Sequence, residues 1–272
     1  MHAPSVPSPS QPRNTQPTAR RRASQIRSRP VAPSAQVALI AGAGDVGLAL
    51  ARVLLRAGMR VQLTDNSVLR LSHAARSLPG PVGCHLADLR RNTQVECLAE
   101  EIAAKGGCDL LIHTPDQRQG HAQRAAADPL LLSDADWQEP WESTFMSAMR
   151  TARAVVPQMV RNGRGQVIFI TPPEAQTDKG SAPVAGTGAG SLTAHAAAGA
   201  ALAHFSQAIA DQYRARGVQF ATLPGPDAGD DDGFETLGAE ILARSAAQLA
   251  ASAAVSRAVA PAAGGDAQKP KI

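Results

Sequence analysis

Three glycines stand at Gly42-x-Gly44-x-x-Gly47, between the apolar run QVALIA and the helix-like run LALARVLLRAG. Glycines at that spacing, where a strand turns into a helix, suit a pyrophosphate. Gly42 allows the tight turn, Gly44 lets the backbone approach the phosphates, and Gly47 lets the helix pack close to the sheet. The helix N-terminus, with Asp45 and Val46 in the turn, then faces the phosphates. Asp65 lies 18 residues after Gly47, at the end of MRVQLTD. An acid there accepts a hydrogen bond from a ribose 2′-hydroxyl and repels a 2′-phosphate. No arginine follows until Arg70, so the spacing favours NAD over NADP. A metal is tested by His195 and His204 in TAHAAAGAALAHF. They are nine residues apart, roughly 900° of helical rotation, and so fall on opposite faces. No helical ligand pair results. Asp230–Asp232 are three consecutive acids that cannot all reach one ion, and they read as a solvated turn.

These residues need a scaffold that holds strand ends side by side. QVALIA, MRVQLTD, PVGCHLAD, CDLLIHT, QVIFIT and VQFATLPG read as strands, with helical segments over 142–161 and 194–216 among the later ones. Strands alternating with helices imply βαβ units, a parallel sheet and helices on both faces. The fold class is α/β: a doubly wound parallel sheet of about seven strands in one domain spanning 36–272.

Composition agrees with that class. Of the 272 residues 44% are hydrophobic but only 3% aromatic, so the core is built from Ala, Val, Leu and Ile. No run of 18 apolar residues exists, and a membrane span is not expected. Cys84, Cys97 and Cys108 form no CxxC pattern and read as reduced thiols in a cytoplasmic protein. Residues 1–35 hold six arginines, seven prolines and no acid; the other 21 basic residues face 23 acids, a net of −2. The first 35 residues therefore read as a disordered basic tail. Its prolines spoil the amphipathic helix of a transit peptide, and no apolar segment follows Arg20–Arg22 as an export signal requires. A solvated tail is the favoured reading, and a tether to nucleic acid or an acidic partner the alternative.

Five segments in order resemble the short-chain dehydrogenase/reductase family over roughly 36–265. VALIAGAGDVGLALA resembles the first strand and cofactor loop, one residue shorter than the usual GxxxGxG. HLADLR is similar to the segment whose aspartate, here Asp88 with Leu89 beside it, contacts the adenine. FMSAMRTARAVVPQMVRNGRGQVIFIT resembles the long helix and fifth strand, and ALAHFSQAIADQYRARGVQFATLPGP the next helix and sixth strand. AAVSRAVAPAAGG is similar to the last strand. The resemblance implies an NAD(P)-dependent Rossmann-type domain that pairs through helices around 145–161 and 194–216, as a homo- or hetero-oligomer.

It also implies an altered catalytic set. The family's tyrosine and lysine fall on His195 and Gly199, its serine on Pro172 and its helix asparagine on Thr144 or a neighbour. The Asn-Asn-Ala-Gly after the fourth strand becomes His113-Thr114-Pro115-Asp116. The only tyrosine, Tyr213, lies about 27 Å along a helix from His195, too far to substitute. The expectation is a dinucleotide-binding protein without standard hydride transfer, acting as a binding or assembly subunit. The alternative is an active NAD-dependent oxidoreductase with His195 as acid/base, since imidazole titrates near neutrality.

Overall fold

The structure, a computed structural model, describes residues 36–114, 129–171, 189–226 and 230–259. The five apolar residues Val37–Ala41 form β1, buried along its whole length. Its neighbours are β2 (Arg60–Asp65) on one side and β4 (Leu110–His113) on the other, both parallel to it. With β3 (Val82–Leu86), β5 (Gly165–Thr171) and β6 (Val218–Pro224) the order is β3-β2-β1-β4-β5-β6, parallel throughout. Chain order reverses between β1 and β4. At that reversal the connections leave to opposite faces, and the crevice at the carboxyl ends of the strands opens.

Strand periodicity sorts the core into two layers. Ala38 and Ile40 of β1, Leu110 and Ile112 of β4, and Ile168 and Ile170 of β5 point to one face. There they meet Leu50 and Leu54 of α1 (Asp45–Arg56), Leu71 and Ala74 of α2 (Val68–Ser77), and Leu237 and Ile241 of α7 (Asp231–Val259). Leu39, Leu111, Val167 and Phe169 point the other way, against α3 (Asn92–Ala104), α5 (Ser147–Arg161) and Leu202 of α6 (Ala189–Arg214). A sheet covered on both faces requires strands that are apolar at consecutive positions, as these are.

The helix before α5 begins earlier than the sequence suggests. Ser133 accepts from the Asp136 amide while the Asp136 carboxylate accepts from the Ser133 amide, a capping box that starts α4 (Asp134–Pro140). Backbone torsions stay right-handed helical through the π turn Trp141–Met146 into α5, so one helix runs from 134 to 161.

The sheet has six strands among the described residues. Of AAVSRAVAPAAGG, similar by sequence to a last strand, residues 253–259 are instead the last two turns of α7, which continues to Val259, and 260–265 lie outside the described residues. Alanine is the strongest helix former and a poor strand residue, and Ala250–Ala254 carries the helix onward. Asp230, read as part of a solvated turn, caps this helix: its Oδ1 accepts from the Gly233 amide at 2.9 Å.

Candidate functional site

Glycine chemistry shapes the cleft at the β1–β4 reversal. Gly42 has φ of 122°, a region side chains rarely enter, and an added Cβ would collide with the Thr114 carbonyl oxygen. Its amide donates to the Thr64 carbonyl at 2.9 Å, and the Thr114 amide donates to Ala41 at 2.9 Å. Gly47 sits where α1 comes down on the turn; a Cβ there would strike the Gly42 carbonyl oxygen. Gly44 differs. It precedes α1 as its N-cap, offers no side chain to the first amides, and a Cβ on it would meet nothing within 4 Å. Two glycines are thus required by packing and one borders open space at a helix N-terminus, the arrangement that admits an anion. Asp45 is exposed and Val46 half-buried in the same turn.

Asp65 closes one side of the cleft from the end of β2. It is buried, with Oδ2 accepting from the Ala43 amide at 2.8 Å and Oδ1 from the Ser67 amide at 2.8 Å. Arg70 reaches Oδ1 through Nε at 3.0 Å and Asn66 Oδ1 through Nη2 at 3.2 Å. Oδ2 holds one donor and keeps acceptor capacity for another. The sequence assigned Asp65 to a ribose; the structure adds that the same carboxylate pins the glycine turn and positions Arg70.

Asp88 lies beyond β3. Arg90 forks onto it, Nε to Oδ1 at 3.0 Å and Nη2 to Oδ2 at 3.1 Å, and this hydrogen bonding holds its carboxyl below the usual carboxylate range. Leu89, Arg90 and Glu139 line the cleft beside it. The structure therefore brings Gly42, Asp65, Asp88 and Leu89 to one cleft, with Asn66, Arg70, His113, Ser143 and Ser147 as further lining.

Of the residues expected at the altered catalytic positions, Thr144 is fully buried in the π turn, its hydroxyl without a hydrogen-bond partner among the described residues. His195 is buried on α6, with Gly199 buried one turn later; His204 is exposed, on the opposite face. Pro172 lies outside the described residues. Tyr213 packs edge-on against Phe220 at 5.2 Å with Arg216 over its ring, a structural role. Among the described residues no group of three or more His, Cys, Asp or Glu could hold a metal, and no helix is long and apolar enough to cross a membrane.

Sequence reasoning missed Arg90, Ser147 and the role of His113. Arg90 was discoverable as a cation two residues past an acid. His113 stood only as a replaced asparagine, and nothing in sequence places it beside Ser147, 34 positions away.

This chain has known relatives in both sequence and fold. The family model for short chain dehydrogenase matches residues 36–226. The chain belongs to the short-chain dehydrogenase family. Nodulation protein G of Rhizobium sp. (strain N33) is 29% identical over 184 residues, covering 66% of this chain and 68% of that protein. The 3-oxoacyl-acyl-carrier-protein reductase FabG of Escherichia coli (strain K12) is 28% identical over 192 residues, 67% and 69% of the two chains. Among solved structures, a metagenomic short-chain oxidoreductase in complex with NADP superposes with a TM-score of 0.61 at 25% identity. The match covers 76% of this chain and 89% of that one. L-Sorbose reductase from Gluconobacter frateurii, complexed with NADPH and L-sorbose, gives 0.56 at 26% identity over 70% and 68%. The described cleft and α6 both lie within the matched residues.

Proposed function

We propose that this short-chain dehydrogenase binds a nicotinamide dinucleotide but does not perform the family's standard hydride transfer, and acts as a binding or assembly subunit. The observation that supports the loss of chemistry is Gly199, buried and without a side chain where the family lysine would stand, one turn after the buried His195. Without that cation nothing at this position lowers the pKa of a proton donor or grips the nicotinamide ribose. Binding is supported by the open space before Gly44, with Gly42 and Gly47 tightly packed around it. In this reading the turn at Gly42, Gly44, Asp45, Val46 and Gly47 takes the pyrophosphate. Asp65 takes a ribose hydroxyl through Oδ2, and Asp88 and Leu89 take the adenine.

NAD is the cofactor favoured by the Asp65 carboxylate. A second reading, NADP, has its own support: the Arg70 guanidinium lines the cleft beside Asp65, and the two structural relatives above were solved with NADP and NADPH. A 2′-phosphate would draw Arg70 off Asp65. Assembly through the helices over 145–161 and 194–216 is supported by the exposed small residues Ala197 and Ala200. A cytoplasmic location accords with three free thiols.

The test loads the full chain with NADH or NADPH, adds a panel of aldehydes and ketones, and follows loss of reduced nicotinamide. Binding with no loss above the protein-free control is the expected result. Turnover abolished by His195→Ala would replace this reading with an active enzyme using His195 as acid/base.

A further inference from the structure

His113 ends β4 on the wall of the cleft and is 1% exposed. Its Nε2 lies 2.8 Å from Ser147 Oγ, and that oxygen lies 2.6 Å from the Ser143 carbonyl. A serine hydroxyl has one proton, and a carbonyl has none. The Ser147 proton is therefore committed to Ser143, four residues back across the π turn, and Ser147 Oγ must accept from the imidazole. This fixes His113 as the tautomer protonated on Nε2. Its Nδ1 is then a bare acceptor, and it has no hydrogen-bond partner among the described residues. Burial holds the ring neutral by pushing its pKa down to about 4. A buried acceptor without a donor is uncommon in native proteins, and it lies here in a side chain that lines the cleft.

We propose that His113 is a specificity-determining residue of the nucleotide site, its Nδ1 accepting a hydrogen bond from an amine or hydroxyl of the adenosine half of the dinucleotide. This inference rests on the dinucleotide reading above. Asp65 and Asp88 line the same cleft and carry only acceptor atoms when ionised, so they also call for donors on the ligand. Ser147 is a positioning residue: it touches His113, and it holds the tautomer.

The experiment uses the full chain labelled with 15N-histidine and read by long-range 15N–1H correlation, with His113→Asn identifying the His113 signals among the seven histidines. Without nucleotide, Nε2 is protonated and Nδ1 is not; Ser147→Ala releases that preference. Adding NAD or adenosine monophosphate shifts the Nδ1 resonance toward the hydrogen-bonded range. Inosine monophosphate, which lacks the amine, and 2′-deoxyadenosine monophosphate, which lacks one hydroxyl, identify the donor by failing to shift it. His113→Phe weakens nucleotide binding about tenfold, the loss of one hydrogen bond to a buried acceptor. Nucleotide binding that leaves both His113 nitrogens unmoved overturns this inference and leaves the dinucleotide reading standing. Absence of any nucleotide binding overturns both.

Discussion

Acid should destabilise this protein through His113, and the size of the effect follows from its surroundings. The imidazole is fully buried, and among the described residues its one partner is a serine and the nitrogen that would take the second proton has none. Its pKa falls from the ordinary 6.5 to about 4 in the folded protein because burial penalises the charged ring. The unfolded chain therefore takes up its proton first as pH drops. The stability gained from keeping His113 neutral is complete above 6.5 and is lost as pH falls towards 4. At about 1.4 kcal/mol per pH unit, that gap corresponds to roughly 3 kcal/mol. For a domain stable by about 5–15 kcal/mol this is a large share. The assay is urea unfolding of the wild type and His113→Asn at a series of pH values from neutral down to about 4. Carboxylates such as Asp88 and Glu139 are present in both proteins, so the difference between them isolates the histidine. That difference should shift by roughly 3 kcal/mol across the window, against the wild type on the acid side. A difference that does not change with pH would show that His113 is not held neutral by burial, and the tautomer argument would fall with it.

The glycine turn yields a contrast. Gly47→Ala drives a methyl group into the Gly42 backbone carbonyl and should cost about 1–3 kcal/mol by thermal unfolding. Gly44→Ala faces open space and, at an N-cap where alanine is less favoured than glycine, should cost at most about 1 kcal/mol, yet weaken dinucleotide binding in a titration. Asp65→Asn removes the charge that fixes Arg70, and should lower stability by about 2 kcal/mol while shifting preference from NAD towards NADP in competition binding. If the proposed loss of chemistry holds, His195→Tyr and Gly199→Lys together should not raise turnover above background, because Thr144 and Pro172 are unchanged; a gain in reduced-nicotinamide consumption would contradict that proposal.

The parts of this molecule legible in its sequence are those set by local chemistry. β1 could be read because five consecutive apolar residues sit between a polar tail and a glycine turn, and Gly42 because its turn needs a positive φ. The pattern at 194–216 found α6 within a few residues. The end of α7 was misread, since Ala-Ala-Val-Ser-Arg-Ala-Val fits a worn strand by likeness and a helix by propensity, and propensity prevailed. The π turn left no signature because it depends on how 141–146 packs below α6, with Phe145 edge-on to Phe205 at 6.1 Å. The pairing of His113 with Ser147 joins β4 to α5 and exists only once the sheet has formed. Asp65 was read correctly as the acid at the end of β2, but its hold on Ala43 and Arg70 is a tertiary property.

The central claim is that the cleft still takes a nicotinamide dinucleotide. Calorimetric titration of the full chain with NAD and with NADP, beside the Gly44→Ala variant, tests it most directly. Saturable micromolar binding of at least one of the two by the wild type, NAD the tighter, and a marked loss in the variant are the expected results. No heat from either cofactor up to about 1 mM, with the protein folded, would contradict it.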